Sequence, residues 1–274
     1  MTSVRAACVQ MRSGVEVAPN ISAASELIRE AAGQGAHLIV TPEMTNLLDI
    51  RPGMARPKIV TEADDQTLAA MRALATELSA WLLIGSLAIA LEDERRFANR
   101  SFLISPDGKI VARYDKIHMF DVEVDDGQSY RESRAYRPGA RAVVAQTEFA
   151  KLGLTICYDV RFPHLYRKLA QAGASILTIP AAFTRVTGQA HWHVLVRARA
   201  IETGSFVIAP AQGGKHEDGR ETYGHSLIVS PWGEVLAEAS GDETGIILAD
   251  LDMAAVAKAR GRIPSLGNNQ DFLL

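Results

Sequence analysis

Segments of alternating or continuous apolar residues are interleaved along the chain with segments of helical periodicity. Strict alternation predicts a half-buried strand, whereas apolar residues three and four positions apart predict a helix with one buried face. We predict strands at 3–11, 37–41, 81–90, 98–105, 109–114, 142–148, 151–156, 175–179, 205–211, 224–230, 234–238 and 245–250. We predict helices at 20–34, with Asn20 as N-cap, and at 64–80, 163–172, 189–203 and 252–260.

Hairpin turns connect several neighbouring strands in this order of elements. The clearest turn signals are Pro106-Asp107-Gly108 and Pro231-Trp232-Gly233. Interleaved strands and helices with inserted hairpins predict an α/β fold, in which mixed sheets are covered by helices. Because no repeat or linker divides the sequence, we expect a single domain that spans residues 1–274.

Three apolar runs end in polar or turn residues. The run before Thr41 leads to Pro42-Glu43, the run before Cys157 ends at Ile156, and a third run ends at Pro180. Ligands of α/β sheets gather beyond the carboxyl ends of the strands. The pattern therefore predicts that Glu43 and Cys157 lie near one rim of a sheet.

Composition narrows the classes of partner. The 274 residues carry a net charge of −3 and 47% are hydrophobic, without a basic stripe, so we expect no nucleic-acid partner. No apolar stretch reaches the roughly 18 residues that span a bilayer, so we expect no membrane partner. The N-terminus lacks the pattern of a signal peptide, and two cysteines do not make a disulfide framework. We therefore expect a cytoplasmic protein.

Cys157 is a candidate nucleophile because a predicted strand ends at it and a helix begins near Pro163. A sharp strand-to-helix turn exposes a nucleophile and directs backbone N–H groups outward. The alternative, a buried and inert cysteine, is equally compatible with this segment alone. Cys8 lies inside an alternating strand, where a structural role is the simpler interpretation.

A thiol nucleophile needs a proton acceptor. Glu43, directly after an apolar strand and Pro42, is a candidate, although in isolation a glutamate that starts a helix or forms a salt bridge explains it slightly better. Any of the seven histidines could lie near Cys157 in space. Lys116 follows a predicted strand, where a solvated surface lysine is the default interpretation.

The three segments together resemble the signatures of the nitrilase (carbon–nitrogen hydrolase) superfamily. They are Thr41-Pro42-Glu43, Tyr114-Asp115-Lys116-Ile117-His118 and Ile156-Cys157-Tyr158-Asp159, and they occur in the family's order. The resemblance implies a nitrilase-like α-β-β-α sandwich, with two mixed β-sheets covered by helices. It also implies no cofactor, and a homodimer or a higher even-numbered homo-oligomer.

The resemblance assigns a role to each of four residues. It makes Cys157 the nucleophile, Glu43 the general base and later acid, and Lys116 the residue that stabilises the tetrahedral intermediate. Glu132, in Tyr130-Arg131-Glu132-Ser133, matches a second glutamate that orients the lysine. Its alternative is a loop carboxylate that pairs with a neighbouring arginine.

Further segments resemble the branch that holds omega-amidase and deaminated glutathione amidase. They include 180–184, 188–192, 223–226 and 231–234, and the run 209–216 is closer to the deaminated glutathione amidases. The branch implies a small-molecule amide substrate, and specifically cleavage of deaminated glutathione into 2-oxoglutarate and cysteinylglycine. The alternatives are an omega-amidase for 2-oxoglutaramate, an N-carbamoyl amide hydrolase and an inactive binding protein on the same fold.

Four residues are candidates for substrate binding. The Tyr158 N–H is expected to stabilise the oxyanion, and Arg161 is expected to bind a substrate carboxylate unless it pairs with Asp159. Phe183 and Thr184 follow another strand end and are candidate walls of the pocket, which the segment 44–52 is expected to border.

His191 and His193 have a spacing that invites a metal interpretation. Positions i and i+2 of a helix do not share a face, however, and no matching ligand set is evident in the sequence. We therefore predict no metal site. We expect His191 and Trp192 to begin the helix at 189–203.

Overall fold

The computed structural model describes residues 3–123 and 129–273 and contains two six-stranded sheets. The strands of the first sheet are β1 (Ser3–Gln10), β2 (Leu38–Val40), β3 (Trp81–Ala90), β4 (Phe97–Ile104), β5 (Ile110–Asp115) and β16 (Gly245–Asp252). Their order is β16-β1-β2-β3-β4-β5. Strands β1, β2 and β3 are parallel, and the remaining pairs are antiparallel.

The second sheet is also mixed, with the order β15-β14-β11-β10-β9-β8. Its strands are β8 (Val143–Gln146), β9 (Lys151–Leu154), β10 (Ile176–Thr178), β11 (Phe206–Ala209), β14 (Leu227–Val229) and β15 (Val235–Glu238). Two short hairpins pair β6 (Asp121–Glu123) with β7 (Ser129–Arg131), and β12 (Gly213–Lys215) with β13 (Glu221–Tyr223).

Helices cover the outer faces of the two sheets. The helices are α1 (Val17–Gly33), α2 (Gln66–Leu78), α3 (Pro163–Gln171), α4 (Arg185–Thr203) and α5 (Ala254–Arg262). Alternate residues of the first sheet belong to different cores: Ile39 packs with α1 and α2, whereas Val40 packs toward the second sheet. Helices α3 and α4 pack on β9 and β11. This arrangement confirms the predicted α-β-β-α sandwich of two mixed sheets.

Two predicted helix boundaries were wrong. Helix α1 begins at Val17, and Glu16 occupies the N-cap position. Asn20 lies inside the first turn, where its buried side chain bonds the backbone of Gly14 and the carbonyl of Asn46. It therefore ties the helix to neighbouring loops instead of capping it. Helix α4 begins at Arg185, so His191 and Trp192 lie within it.

The sheets approach each other closely at Gly85 in β3. A Cβ atom on this residue would lie 1.9 Å from the Thr41 carbonyl oxygen and 2.4 Å from Cβ of Pro180. The register between β3 and β4 shifts here, as in a β-bulge. The ends of β2 and β10 thus meet at a position that has room only for glycine.

None of the helices within the described ranges is long and apolar enough to cross a membrane.

Candidate active site

Cys157 lies on a sharp turn between β9 and α3. It opens a one-turn 3-10 helix, Cys157–Arg161, and α3 begins two residues later at Pro163. Cys157 has a φ of 46°, in the left-handed region, which costs a side-chain-bearing residue roughly 1–2 kcal/mol. Its backbone N–H donates to the Pro180 carbonyl at 2.8 Å, which fixes the turn against the end of β10. The predicted strand-to-helix turn is confirmed.

The side chain of Asp159 stabilises this turn through hydrogen bonds. Its buried carboxylate accepts hydrogen bonds from the Ile156 N–H at 2.9 Å and from the Tyr114 hydroxyl at 2.6 Å. It also accepts from the backbone N–H of His118 at 3.1 Å and lies 2.6 Å from His118 Nδ1. Because Tyr114 and His118 flank Lys116 in sequence, Asp159 connects the cysteine turn to the segment that carries the lysine.

The Lys116 ammonium lies between two carboxylates. Its Nζ is 2.8 Å from Glu43 Oε1 and 3.0 and 2.9 Å from the two oxygens of Glu132. Glu132 Oε2 also accepts a hydrogen bond from the Phe120 N–H at 2.7 Å. Among the described residues, Glu132 bonds Lys116 and the Phe120 N–H, whereas the neighbouring Arg131 pairs with Glu123.

Glu43 is held through both carboxylate oxygens. Oε1 accepts from Lys116 and from the Asn99 side-chain amide at 2.9 Å, and Oε2 accepts from the Ala182 N–H at 2.9 Å. Asn99, which also donates to Glu132 at 3.2 Å, was not among the residues predicted from the sequence. The available signal was an Asn inside strand β4, since strands are depleted in asparagine.

Burial and mutual charge set the protonation of these groups. Burial raises the pKa of the Cys157 thiol well above its ordinary value, and the charge of Glu43 raises it further, against the opposing effect of Lys116. Burial alone would raise the pKa of Glu43, but Lys116 and hydrogen bonds, including one with Cys157, lower it below its usual value. Burial would lower the pKa of Lys116, but the two glutamates raise it well above its ordinary value. The resting site thus combines a neutral thiol, a carboxylate and an ammonium.

A cavity of about 460 Å³ contains all four predicted catalytic side chains in its wall. Three of the four predicted substrate-binding residues also line it, namely Tyr158, Phe183 and Thr184. The fourth, Arg161, is not among the lining residues. Its guanidinium carbon lies 5.2 Å from the centre of the Phe183 ring.

Arg161 does not pair with Asp159, the alternative that its sequence position suggested. One of its terminal nitrogens lies 3.3 Å from His191 Nδ1. His193, two residues further along α4, instead faces Glu238. The two histidines therefore lie on different faces of the helix, as their spacing predicts.

The segment that follows Glu43 forms one wall of the cavity, which agrees with the prediction that it borders the substrate. Met44, Leu47, Leu48 and Ile59 form a small apolar cluster with Ala182 and Phe97. This cluster is separate from the two large cores. The wall therefore packs on the rim of the sandwich without being part of its interior.

Arginines supply positive charge to the same cavity, which is lined by Arg51, Arg56, Arg131 and Arg220. Arg51 pairs with Asp49, Arg131 with Glu123, and Arg56 donates to the Arg95 carbonyl. In the described part of the chain, the buried Nε of Arg220 has no hydrogen-bond partner. Its guanidinium carbon lies 5.7 Å from the centre of the Tyr130 ring. Arg220 thus presents an unsatisfied donor beside the cavity.

Comparison with known proteins connects this geometry to a family. The model of the carbon-nitrogen hydrolase family matches residues 5–261. Deaminated glutathione amidase of Synechocystis sp. is 40% identical over 264 residues, which are 95% of this chain and 96% of the relative. Omega-amidase NIT2 of Homo sapiens is 36% identical over 96% of this chain and 94% of its own.

A solved structure shows the same fold. The NitFhit protein of C. elegans superposes with a TM-score of 0.90 and is 33% identical. The match covers 98% of this chain and 66% of the NitFhit chain, so this chain spans just under two thirds of that protein.

Proposed function

Since the chain belongs to the carbon–nitrogen hydrolase family, whose members hydrolyse carbon–nitrogen bonds, we propose that it cleaves an amide through a thioester on Cys157. The observation that carries this proposal is the position of the Lys116 ammonium, 2.8 Å from Glu43 and 2.9 Å from Glu132, in the wall that also contains Cys157. Burying these three charges costs free energy, and the function of an inactive binding protein would not require them.

The first step is attack on the amide. Glu43 takes the proton of the Cys157 thiol as Sγ bonds to the carbonyl carbon, and the π electrons move to the carbonyl oxygen. The lowered pKa of Glu43 supports this role, since it keeps the base ionised at neutral pH. Proton transfer coupled to attack also explains how a thiol with a raised pKa reacts.

The oxyanion is stabilised by the Lys116 ammonium and the Tyr158 N–H. A donor of this kind contributes roughly 3 kcal/mol to stabilisation of the transition state. Glu132 positions the lysine through both of its oxygens, and it is itself anchored by the Phe120 N–H. The ammonium is therefore fixed before substrate arrives.

The remaining steps release both products. The carbon–nitrogen bond breaks and Glu43 donates its proton to the departing amine, which leaves the acyl group as a thioester. Glu43 then takes a proton from water, whose oxygen attacks the thioester carbon. The carbon–sulfur bond breaks as this second tetrahedral intermediate collapses, the carboxylic acid departs, and Glu43 returns the proton to the Cys157 thiolate. The sum is amide plus water to carboxylic acid plus amine.

The proposed substrate is deaminated glutathione, with 2-oxoglutarate and cysteinylglycine as products. The deaminated glutathione amidase of Synechocystis sp. supports this choice. The cavity supports it as well, because its arginine-bearing wall suits a substrate with a carboxylate at each end. The likeness to human omega-amidase NIT2 favours a second candidate, 2-oxoglutaramate, which is shorter and has one carboxylate.

Parallel kinetics on the two substrates test the proposal. We expect kcat/KM for deaminated glutathione to exceed that for 2-oxoglutaramate, with 2-oxoglutarate release measured by a coupled dehydrogenase. A higher kcat/KM for 2-oxoglutaramate would instead support the omega-amidase reaction.

Mass spectrometry of rapidly quenched protein should detect an acyl adduct on Cys157, and Cys157→Ala should abolish turnover of both substrates. Full turnover by this variant would refute the thioester mechanism.

The extent, assembly and location of the protein are further proposals. A single domain over residues 1–274 is supported by the match of one family to residues 5–261.

A homodimer is supported by exposed apolar side chains, since Val194 is 69% and Ile201 is 52% exposed on one face of α4. Light scattering would test the dimer, which a monomeric mass would contradict. The cytoplasmic location stays a prediction, compatible with two unpaired cysteines.

A further inference from the structure

A second cluster of titratable side chains lies on helix α4 and strand β15. His193 Nε2 is 2.9 Å from Glu238 Oε1, and His225 Nδ1 is 2.8 Å from the same oxygen. His193 belongs to α4, His225 precedes β14 by two residues, and Glu238 ends β15. None of the three lines the cavity that contains Cys157. The proposed amide hydrolysis therefore gives this cluster no role.

The cluster brings together ligand atoms of the kinds that zinc prefers. The three candidate ligand atoms, two imidazole nitrogens and one carboxylate oxygen, lie within 4.8 Å of one another. In a tetrahedral zinc site, bonds of about 2.0–2.2 Å place neighbouring ligand atoms about 3.3 Å apart. Small side-chain shifts would bring these atoms to that separation.

The surrounding structure holds the ligands in place. His225 has a φ of 53°, and its carbonyl accepts a hydrogen bond from the indole of the buried Trp192 at 2.8 Å. Its ring lies 4.3 Å from the ring of Tyr223, centre to centre. Glu238 is paired with Leu227 in the ladder between β14 and β15. Side chains already held by such packing and hydrogen bonds lose little conformational freedom when they bind an ion.

We propose that His193, His225 and Glu238 bind one divalent transition-metal ion, with zinc the best match to two imidazoles and a carboxylate. The three side chains are 28–39% exposed, so an ion can enter and a fourth position remains for water. A bound ion would join α4 to the β14–β15 hairpin and stabilise that side of the molecule. The competing explanation is a hydrogen-bonded cluster that binds no metal, in which both imidazoles donate to Glu238.

Zinc chloride titrated by calorimetry into chelator-treated, full-length protein separates the two explanations. We expect one ion per chain in the wild type. His193→Gln and Glu238→Gln each preserve side-chain volume and hydrogen bonding but remove a strong ligand, so affinity should fall at least about tenfold. His37→Gln is the matched control, since His37 is an exposed histidine outside the cluster, and its affinity should equal that of the wild type.

Thermal unfolding supplies a second measurement. Zinc should raise the Tm of the wild type and of His37→Gln, but not of the two cluster variants, because only an ion bound to the folded state stabilises it. Cys157→Ala should behave as the wild type, which excludes the thiol as the ligand. The anomalous signal of a zinc-soaked crystal should lie between the two imidazoles.

Three results would overturn the proposal: no zinc binding by the wild type, undiminished affinity in both cluster variants, or loss of binding in Cys157→Ala. The anomalous map decides the matter even if a variant folds poorly, since it is measured on wild-type protein. Amidase activity does not enter the test, so the metal site and the proposed reaction can fail independently.

Discussion

The Tyr114 hydroxyl donates a hydrogen bond to the Asp159 carboxylate at 2.6 Å, with both side chains buried between the two sheets. Tyr114 lies in β5, two residues before Lys116, and Asp159 lies two residues after Cys157. One short contact thus connects the strand that leads into Lys116, whose ammonium is proposed to stabilise the oxyanion, with the turn that carries the proposed nucleophile. This bond therefore contributes to the spacing between the two segments.

Removing that bond should lower catalysis more than stability alone explains. In Tyr114→Phe we expect a loss of about 1.5–3 kcal/mol in the free energy of unfolding, the usual value of a hydrogen bond to a charged group. We also expect kcat to fall roughly tenfold, because a shift of the cysteine turn misaligns the reacting atoms. Tyr166→Phe is the control: its buried hydroxyl bonds the Thr155 hydroxyl, so stability should fall by about 1 kcal/mol while kcat is retained. Equal kcat in both variants would contradict the positioning role of Asp159.

The pH dependence should report the lowered pKa of Glu43. Burial opposes this shift, but Lys116 and hydrogen bonds outweigh it, so Glu43 stays ionised below the ordinary carboxyl value of 4.5. The acid limb of kcat/KM should therefore lie below pH 4.5. Because the folded-state pKa is lower than the unfolded one, the contribution of Glu43 to stability is present above pH 4.5 and is lost as pH falls through the folded value. An acid limb at neutral pH would contradict this assignment.

The raised pKa of Cys157 predicts slow alkylation in the absence of substrate. Burial and the charge of Glu43 keep the thiol protonated, so its reaction with iodoacetamide should accelerate with pH and continue to rise beyond pH 9.0, the ordinary value for a thiol. Mass spectrometry of the modified peptide measures the rate. In Glu43→Gln the repulsive charge is absent, so we expect the rise to shift to lower pH while turnover falls by about 10²–10⁴. A plateau at neutral pH in the wild type would indicate a preformed thiolate.

Arg220 should affect substrate binding more than chemistry. A charge-assisted hydrogen bond to a substrate carboxylate contributes about 1.5–3 kcal/mol, so Arg220→Gln should raise KM for deaminated glutathione by roughly 10- to 150-fold with little change in kcat. Arg56→Gln is the control, since Arg56 lines the same cavity but is engaged with the Arg95 carbonyl and the Phe97 ring. Similar KM values in the two variants would show that general positive charge, and not Arg220, binds the substrate.

Gly85 should tolerate no side chain. A methyl group there would overlap the Thr41 carbonyl oxygen, so Gly85→Ala should lose at least about 3 kcal/mol of stability and most of its activity. Gly33→Ala is the control at the end of α1, where an added Cβ meets nothing within 4 Å. Denaturant unfolding and turnover measure both effects. A Gly85→Ala protein with wild-type stability would mean that the sheets can separate at this point.

The sequence predicted those site residues whose signal is local. Glu43 and Cys157 follow apolar strands, and the ends of such strands could be located from periodicity alone. Lys116 gave no local signal, and its significance depended on the ordered resemblance to a family. Arg220 could not be predicted, and Asn99 gave only the signal of an asparagine within a strand, because their importance comes from partners in distant segments. Asn99, in β4, contacts Glu43, which follows β2, across the intervening strand β3. Arg220 reaches the cavity from the turn between β12 and β13.

The close approach at Gly85 limits where substitutions can change substrate preference in proteins with this fold. The rim that positions Glu43 and Cys157 rests on the backbone of Gly85, which lies against the Thr41 carbonyl oxygen and Cβ of Pro180, so this contact offers no long side chain to enlarge or trim. The wall after Glu43, in contrast, packs through a small apolar cluster that is separate from the large cores. Directed evolution should therefore change which acyl groups the cavity accepts through substitutions in that wall, at positions such as Leu47 and Leu48. The spacing of the reacting atoms should stay the same.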